Sequence, residues 1–133
     1  MAKAGDSYTV PLIEPHLAWG EYRHTNSRDV QYGEAYIPIR AKDAYDLSIK
    51  SSKGVNYHDT LGQNLFNCIS ADGYLRGILR AQGQQADDRY AKQFSMDKDL
   101  KALGRWYAHV DAKVGDRIRV TWLTDTDVMI EKL

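Results

Sequence analysis

Apolar and polar residues alternate with a period of two over most of this chain, and the runs are short. Residues 7–13, Ser-Tyr-Thr-Val-Pro-Leu-Ile, have strand composition, and Pro11 marks them as an edge because proline cannot donate to a ladder. Residues 34–40 alternate strictly: Ala35, Ile37 and Ile39 point one way, and Tyr36, Pro38 and Arg40 the other. A short helix is expected over 41–48, then a polar, turn-rich stretch over 51–63. Strands follow at 65–70 and 74–82, joined by a tight turn at Ala71-Asp72-Gly73. In the second of these, Leu75, Gly77, Leu79 and Ala81 share one face, and Tyr74, Arg76, Ile78, Arg80 and Gln82 the other. A polar, flexible loop is expected over 83–89, and a strand over 90–96.

The period then changes. Leu100, Leu103, Trp106, Tyr107 and Val110 fall at helical spacing, with Asp97 or Asp99 placed to cap the helix start. Gly115-Asp116 turns the chain into a strand over 117–123, where Ile118, Val120 and Trp122 alternate with Arg117, Arg119 and Thr121. After a turn at 124–127, residues 128–133 complete a hairpin. Seven short strands with two short helices predict a mainly β (α+β) domain, a small barrel. Residues 1–19 read as an N-terminal segment with an edge strand, and 20–133 as the barrel itself.

The chain has 133 residues, 43% hydrophobic and 27% charged, which fits one globular core. It has no apolar run of membrane-spanning length and no signal-like apolar core near its start, so a cytoplasmic protein without membrane partners is expected. The single cysteine, Cys68, reads as a small core residue. Eighteen basic residues balance eighteen acidic ones. Nucleic-acid binding therefore has to come from local clusters rather than from excess positive charge.

Two such clusters exist. Arg76, Arg80 and Gln82 line one strand face and lead into a loop that adds Gln84, Gln85, Arg89 and, beyond it, Lys92. Arg23, His24, Thr25, Asn26, Ser27 and Arg28 form an earlier polar loop, flanked by Trp19, Tyr22 and Tyr32. Arginine, glutamine and asparagine can bond base edges bidentately in the major groove, and hydroxyls and lysine suit phosphates. Six phosphate contacts would give a log–log salt slope of about −5.

Catalytic signatures of zinc proteases, serine hydrolases, dinucleotide binders and P-loops are missing, and no cofactor is expected. Asp111-Ala112-Lys113 has the letters of a metal-dependent nuclease, which leaves a compact nuclease as an alternative. A module for RNA, single strands or a protein partner is a further alternative, given the aromatics.

The succession GEAYIPIR, NLFNCISADG, LRGILRAQG, YAKQFS, LGRWYAHVDAKVGDRIRVTW and IEKL resembles the C-terminal DNA-binding domain of NgoFVII-type restriction endonucleases over about residues 20–133. That domain is in turn similar to the pseudobarrels of BfiI, EcoRII and plant transcription factors. The resemblance implies an open seven-stranded pseudobarrel with two short helices, gripping the DNA major groove with two arms. Here the arms would be Arg23 to Arg28 and Arg80 through the loop to Lys92. It implies sequence-specific recognition of double-stranded DNA without catalysis, as the target-recognition module of a restriction system. The phospholipase-D-like nuclease of those enzymes would then be a separate domain or subunit.

Overall fold

A computed structural model describes residues 2–17 and 34–133. The expected first arm, Arg23 to Arg28, lies outside the described residues, as do Trp19, Tyr22 and Tyr32. In chain order the elements are β1 (Ser7–Pro11), the single turn α1 (Glu14–Leu17), β2 (Ile37–Pro38), α2 (Ala41–Asp46), a 3-10 turn (Lys53–Val55), β3 (Leu65–Ser70), β4 (Arg76–Gln82), β5 (Gln93–Met96), α3 (Ala102–His109), β6 (Arg117–Trp122) and β7 (Asp127–Lys132).

The seven strands among the described residues join one sheet in the order β1-β6-β7-β3-β4-β5-β2. Neighbours are antiparallel except β3 and β7, which run parallel with Cys68 opposite Val128. The sheet curls until its outer strands meet, giving a nearly closed barrel with one seam. At the seam the Tyr8 hydroxyl donates to the Pro38 carbonyl at 3.2 Å, and Arg40 Nη2 donates to the Thr9 carbonyl at 2.7 Å. Pro11 in β1 and Pro38 in β2 have no N–H to offer, which suits both strands to an edge.

The period-two pattern becomes the wall of the barrel. Tyr8 and Val10, Phe66 and Cys68, Leu79 and Ala81, Ile118, Val120 and Trp122, and Val128 and Ile130 all point inward and are buried. Phe66 meets Phe94 and Trp122 edge-on, with ring centroids 5.8 and 5.7 Å apart. All four residues of β5 are buried, since α3 lies against it and adds Leu103, Trp106 and Tyr107 to the core. Cys68 is buried, as its sequence context suggested.

Several elements are shorter than the pattern implies. Residues 34–40 keep their alternation, with Ala35, Ile37 and Ile39 buried, but only Ile37–Pro38 joins the ladder. The strand expected from Tyr74 begins at Arg76, because the preceding turn runs on through Gly73 at φ +77° and closes with Ser70 N–H donating to the Leu75 carbonyl. The strand expected from Tyr90 begins at Gln93. Of the two capping candidates, Asp99 accepts from the Lys101 N–H at 3.2 Å, while Asp97 pairs with Arg80 instead.

Candidate nucleic-acid interface

Strand β4 turns Arg76, Ile78, Arg80 and Gln82 outward, and these positions do different things. Arg76 is exposed and lines a groove of about 440 Å³ with Asn67, Ile69, Ile78, Leu123 and Asp127. The Arg80 guanidinium is held from two sides. Its Nη1 and Nη2 donate to the two Asp59 carboxylate oxygens, each at 2.9 Å, and its Nε donates to Asp97 at 2.8 Å. Asn64 adds a bond to Asp59 at 3.1 Å. The hydrogen bond from Arg80, followed by that from Asn64, holds the Asp59 carboxyl below its ordinary range. Arg80 thereby fastens the 57–64 segment to β4. Gln82 accepts from the Ser95 hydroxyl at 2.7 Å.

The 83–89 loop, expected to be flexible, is braced. The Gln85 side chain donates to the Ile39 and Ala91 carbonyls at 2.7 and 3.1 Å, pinning the loop to the barrel. Arg89 forms a two-pronged pair with Asp87, which pulls the Asp87 carboxyl down to about 2. The 51–55 segment supports the loop from below. The Ser51 hydroxyl donates to the Asp88 carbonyl at 2.5 Å, the Ser51 N–H donates to the Arg89 carbonyl at 3.0 Å, and Lys53 pairs with Asp88. Gly54 is essential to this seating, since a Cβ there would lie 2.1 Å from the Arg89 carbonyl oxygen.

Between the loop and the 51–52 segment runs a groove of about 400 Å³ lined by Ser51, Ser52, Gly83, Gln84 and Lys92. It adjoins a second, also about 400 Å³, that adds Arg80, Gln82, Gln93 and Leu100. Lys92 is exposed and pairs with no carboxylate among the described residues. Its aliphatic stem crosses Gly83, where a Cβ would come within 2.7 Å of Lys92 Cγ. Gly83, at φ +70°, thus fixes both the turn into the loop and the place of the ammonium.

The described chain on either side of residues 18–33 comes together close to this groove. Tyr36 N–H donates to the His16 carbonyl at 3.1 Å, and Ala35 N–H donates to the carbonyl of Leu100, a residue of the groove wall. His16 Nδ1 accepts from the Ile13 N–H at 3.0 Å, and burial lowers its pKa.

Of the expected site residues, the structure brings Arg80, Gln82, Gln84 and Lys92 to one pair of grooves. Gln85 and Arg89 support the loop, and Arg76 lines a different groove. Ser51, Ser52 and Gly54 were read only as part of a polar stretch. The loop residues that Ser51 and Gly54 meet, Asp88 and Arg89, lie more than thirty residues away, and Ser52 joins the groove opposite Lys92 only in the folded chain, so nothing local in the sequence marks them. Asp111 and Lys113, the nuclease letters, form an exposed ion pair with each other at 3.2 Å. No cluster of three potential metal ligands occurs among the described residues. No helix among them is long and apolar enough to cross a membrane. Comparison with protein-family models, with characterised proteins and with solved structures finds no match to the chain.

Proposed function

We propose that the chain reads double-stranded DNA, gripping the duplex at the end of the barrel where the braced 83–89 loop stands over the Lys92 groove. The observation that carries this reading is the pairing of a pre-organised polar loop with an ammonium that no described carboxylate neutralises. A loop held in place loses little conformational freedom on binding. Hydroxyl, amide and ammonium groups along one groove suit a phosphate backbone with base edges beside it. A barrel of this kind hosts many functions, so the argument rests on the site rather than on the fold.

Roles divide by availability. Lys92 holds a phosphate. Gln84, exposed on the loop, and the amide nitrogen of Gln82 reach base edges. Arg80 and Gln85 position those groups through the carboxylates and carbonyls they already bond. In this proposal the chain is the target-recognition module of a restriction system, with cleavage supplied by a separate nuclease domain or subunit.

Selection from a random duplex library, with single-stranded DNA and RNA as competitors, tests the reading. An enriched duplex motif is expected, and failure to enrich any duplex would overturn it. On the selected site, Gln84→Ala should lose roughly 1–3 kcal/mol of discrimination at one base pair. Lys92→Ala should weaken all sequences alike and reduce the salt slope by about one.

A further inference from the structure

We propose that the segment from Ser51 to Tyr57 is a third DNA-contacting element, in which the Ser52 hydroxyl donates to a backbone phosphate and the Tyr57 ring packs on a deoxyribose. The inference rests on the duplex-reading proposal and assigns contacts to residues to which that proposal gives no individual role. Ser52 is exposed and lines both grooves that Lys92 lines, so a phosphate on the ammonium lies within the same pair of grooves as this hydroxyl.

Tyr57 is the most exposed of the large apolar side chains among the described residues, at 75%. A single exposed tyrosine is ordinary. Its backbone is not. Tyr57 sits at φ +60° directly after Asn56 at φ +52°, so two consecutive residues with side chains occupy the left-handed region. Glycine adopts that region without penalty, and a bulky residue there is an outlier.

The surrounding structure enforces the conformation. Tyr57 N–H donates to the Ser52 carbonyl at 2.8 Å, and Asn56 N–H donates to the Lys53 carbonyl at 3.0 Å. On one side the segment is fastened to the recognition loop through Ser51, Lys53 and Gly54. On the other side Asp59 is held by Arg80. The turn is fixed from both sides and displays an aromatic ring to solvent at a position where glycine would be unstrained. Strain maintained by its surroundings, in a residue presented outward, points to a contact made outside the molecule.

The Tyr57 backbone is bonded to Ser52, a residue of both grooves, and the chemistry of those grooves selects the partner. The adjoining groove offers hydroxyls, an amide and an ammonium, which match a sugar–phosphate strand. A tyrosine supplies an apolar face with a polar tip, suited to a deoxyribose whose neighbouring phosphate is already bonded.

Tyr57→Gly, Tyr57→Phe and Ser52→Ala are compared with the parent and with Lys92→Ala on the selected duplex, with thermal unfolding measured in parallel. Tyr57→Gly should bind about tenfold more weakly with an unchanged salt slope. Its Tm should be at or above the parent's, because the glycine relieves strain. Tyr57→Phe should keep parental affinity, and Ser52→Ala should bind several-fold more weakly. Parental affinity in Tyr57→Gly while Lys92→Ala remains weak would overturn this inference and leave the duplex reading standing. Loss of affinity together with a lowered Tm in Tyr57→Gly would make the residue structural and overturn the inference as well. Parental affinity in all the variants, Lys92→Ala included, would overturn both.

Discussion

The Arg80 guanidinium meets three carboxylate oxygens, two from Asp59 and one from Asp97, whereas the Lys92 ammonium meets none among the described residues. A planar fork can hold two carboxylates at once, and a point charge on a flexible stem cannot do so with the same geometry. That difference separates a positioning residue from a contact residue on the same surface. Burial sets the chemistry of another residue, Cys68, whose thiol is pushed from 9.0 up to about 12. Between those values the folded chain keeps a proton that the unfolded chain releases, so stability falls as pH rises above about 9. Burial raises Tyr8 and Tyr107 too, in the same direction. The urea midpoint should therefore decline from pH 9 upward, with a shallower decline in Cys68→Ala. A midpoint independent of pH over that range, or equal declines in the two proteins, would contradict this role. At this scale the outward face of Arg76, Arg80 and Gln82 was legible in the period-two pattern. The partners of Arg80 were not legible, because Asp59 and Asp97 lie 21 and 17 residues away along the chain.

The 83–89 loop and the 51–55 segment behave as one element although thirty residues separate them in sequence. Their contact depends on the missing side chain of Gly54, whose Cβ would enter the Arg89 carbonyl. Gly54→Ala should therefore lift the loop, destabilise the fold by about 1–3 kcal/mol and weaken duplex binding. Denaturant titration and anisotropy on the same preparation check it; unchanged stability would show that the loop accommodates the methyl group. The loop's limits were legible because Gly83 and the polar run through Arg89 interrupt two apolar stretches. Its rigidity was not, since a polar composition describes solvent preference and says nothing of the carbonyls that Gln85 reaches. The helix start shows the same limit: two aspartates suit a cap, yet the N-cap position falls on Lys101 with no side-chain cap bond, Asp97 pairs with Arg80, and the Asp99 side chain accepts from the Lys101 N–H.

For the whole molecule, alternation and turn residues located most of the seven described strands, because those strands carry an inward face of their own, whereas β5 is buried on both faces and shows no alternation. Their order could not be read that way. The parallel pairing of β3 with β7 joins residues about sixty positions apart, and period-two patterning is silent about which edges meet. Charge is likewise a property of arrangement. The chain is neutral, and most cations near the proposed interface already hold a carboxylate. Lys92 is the one cation lining the two grooves that holds no described carboxylate, and Lys50, whose ammonium lies 4.3 Å over the Tyr90 ring beside the loop, forms no ion pair among the described residues either, so the log–log salt slope of parental binding should be about −2 rather than the −5 of six phosphate contacts. Titration over 50–200 mM salt measures it; a slope near −5 would show that the exposed pairs of Lys53 and Arg89 exchange carboxylates for phosphates.

The seam gives the barrel a detachable stave. Strand β1 is hydrogen-bonded along its length to β6 alone, and two side-chain bonds close its other edge onto the β2 region. Its inward residues Tyr8 and Val10, with Leu12 just beyond, are almost wholly buried, so the remainder of the chain would keep a matching apolar slot. A chain cut between Leu17 and Glu34 should accordingly reassemble from its two fragments. The short fragment would add itself as the outer strand, as donated strands complete open sheets elsewhere. Reassembly would make the protein a fragment-complementation pair whose signal reports whether β1 is seated, and Arg40→Ala should weaken the association by removing half of the seam.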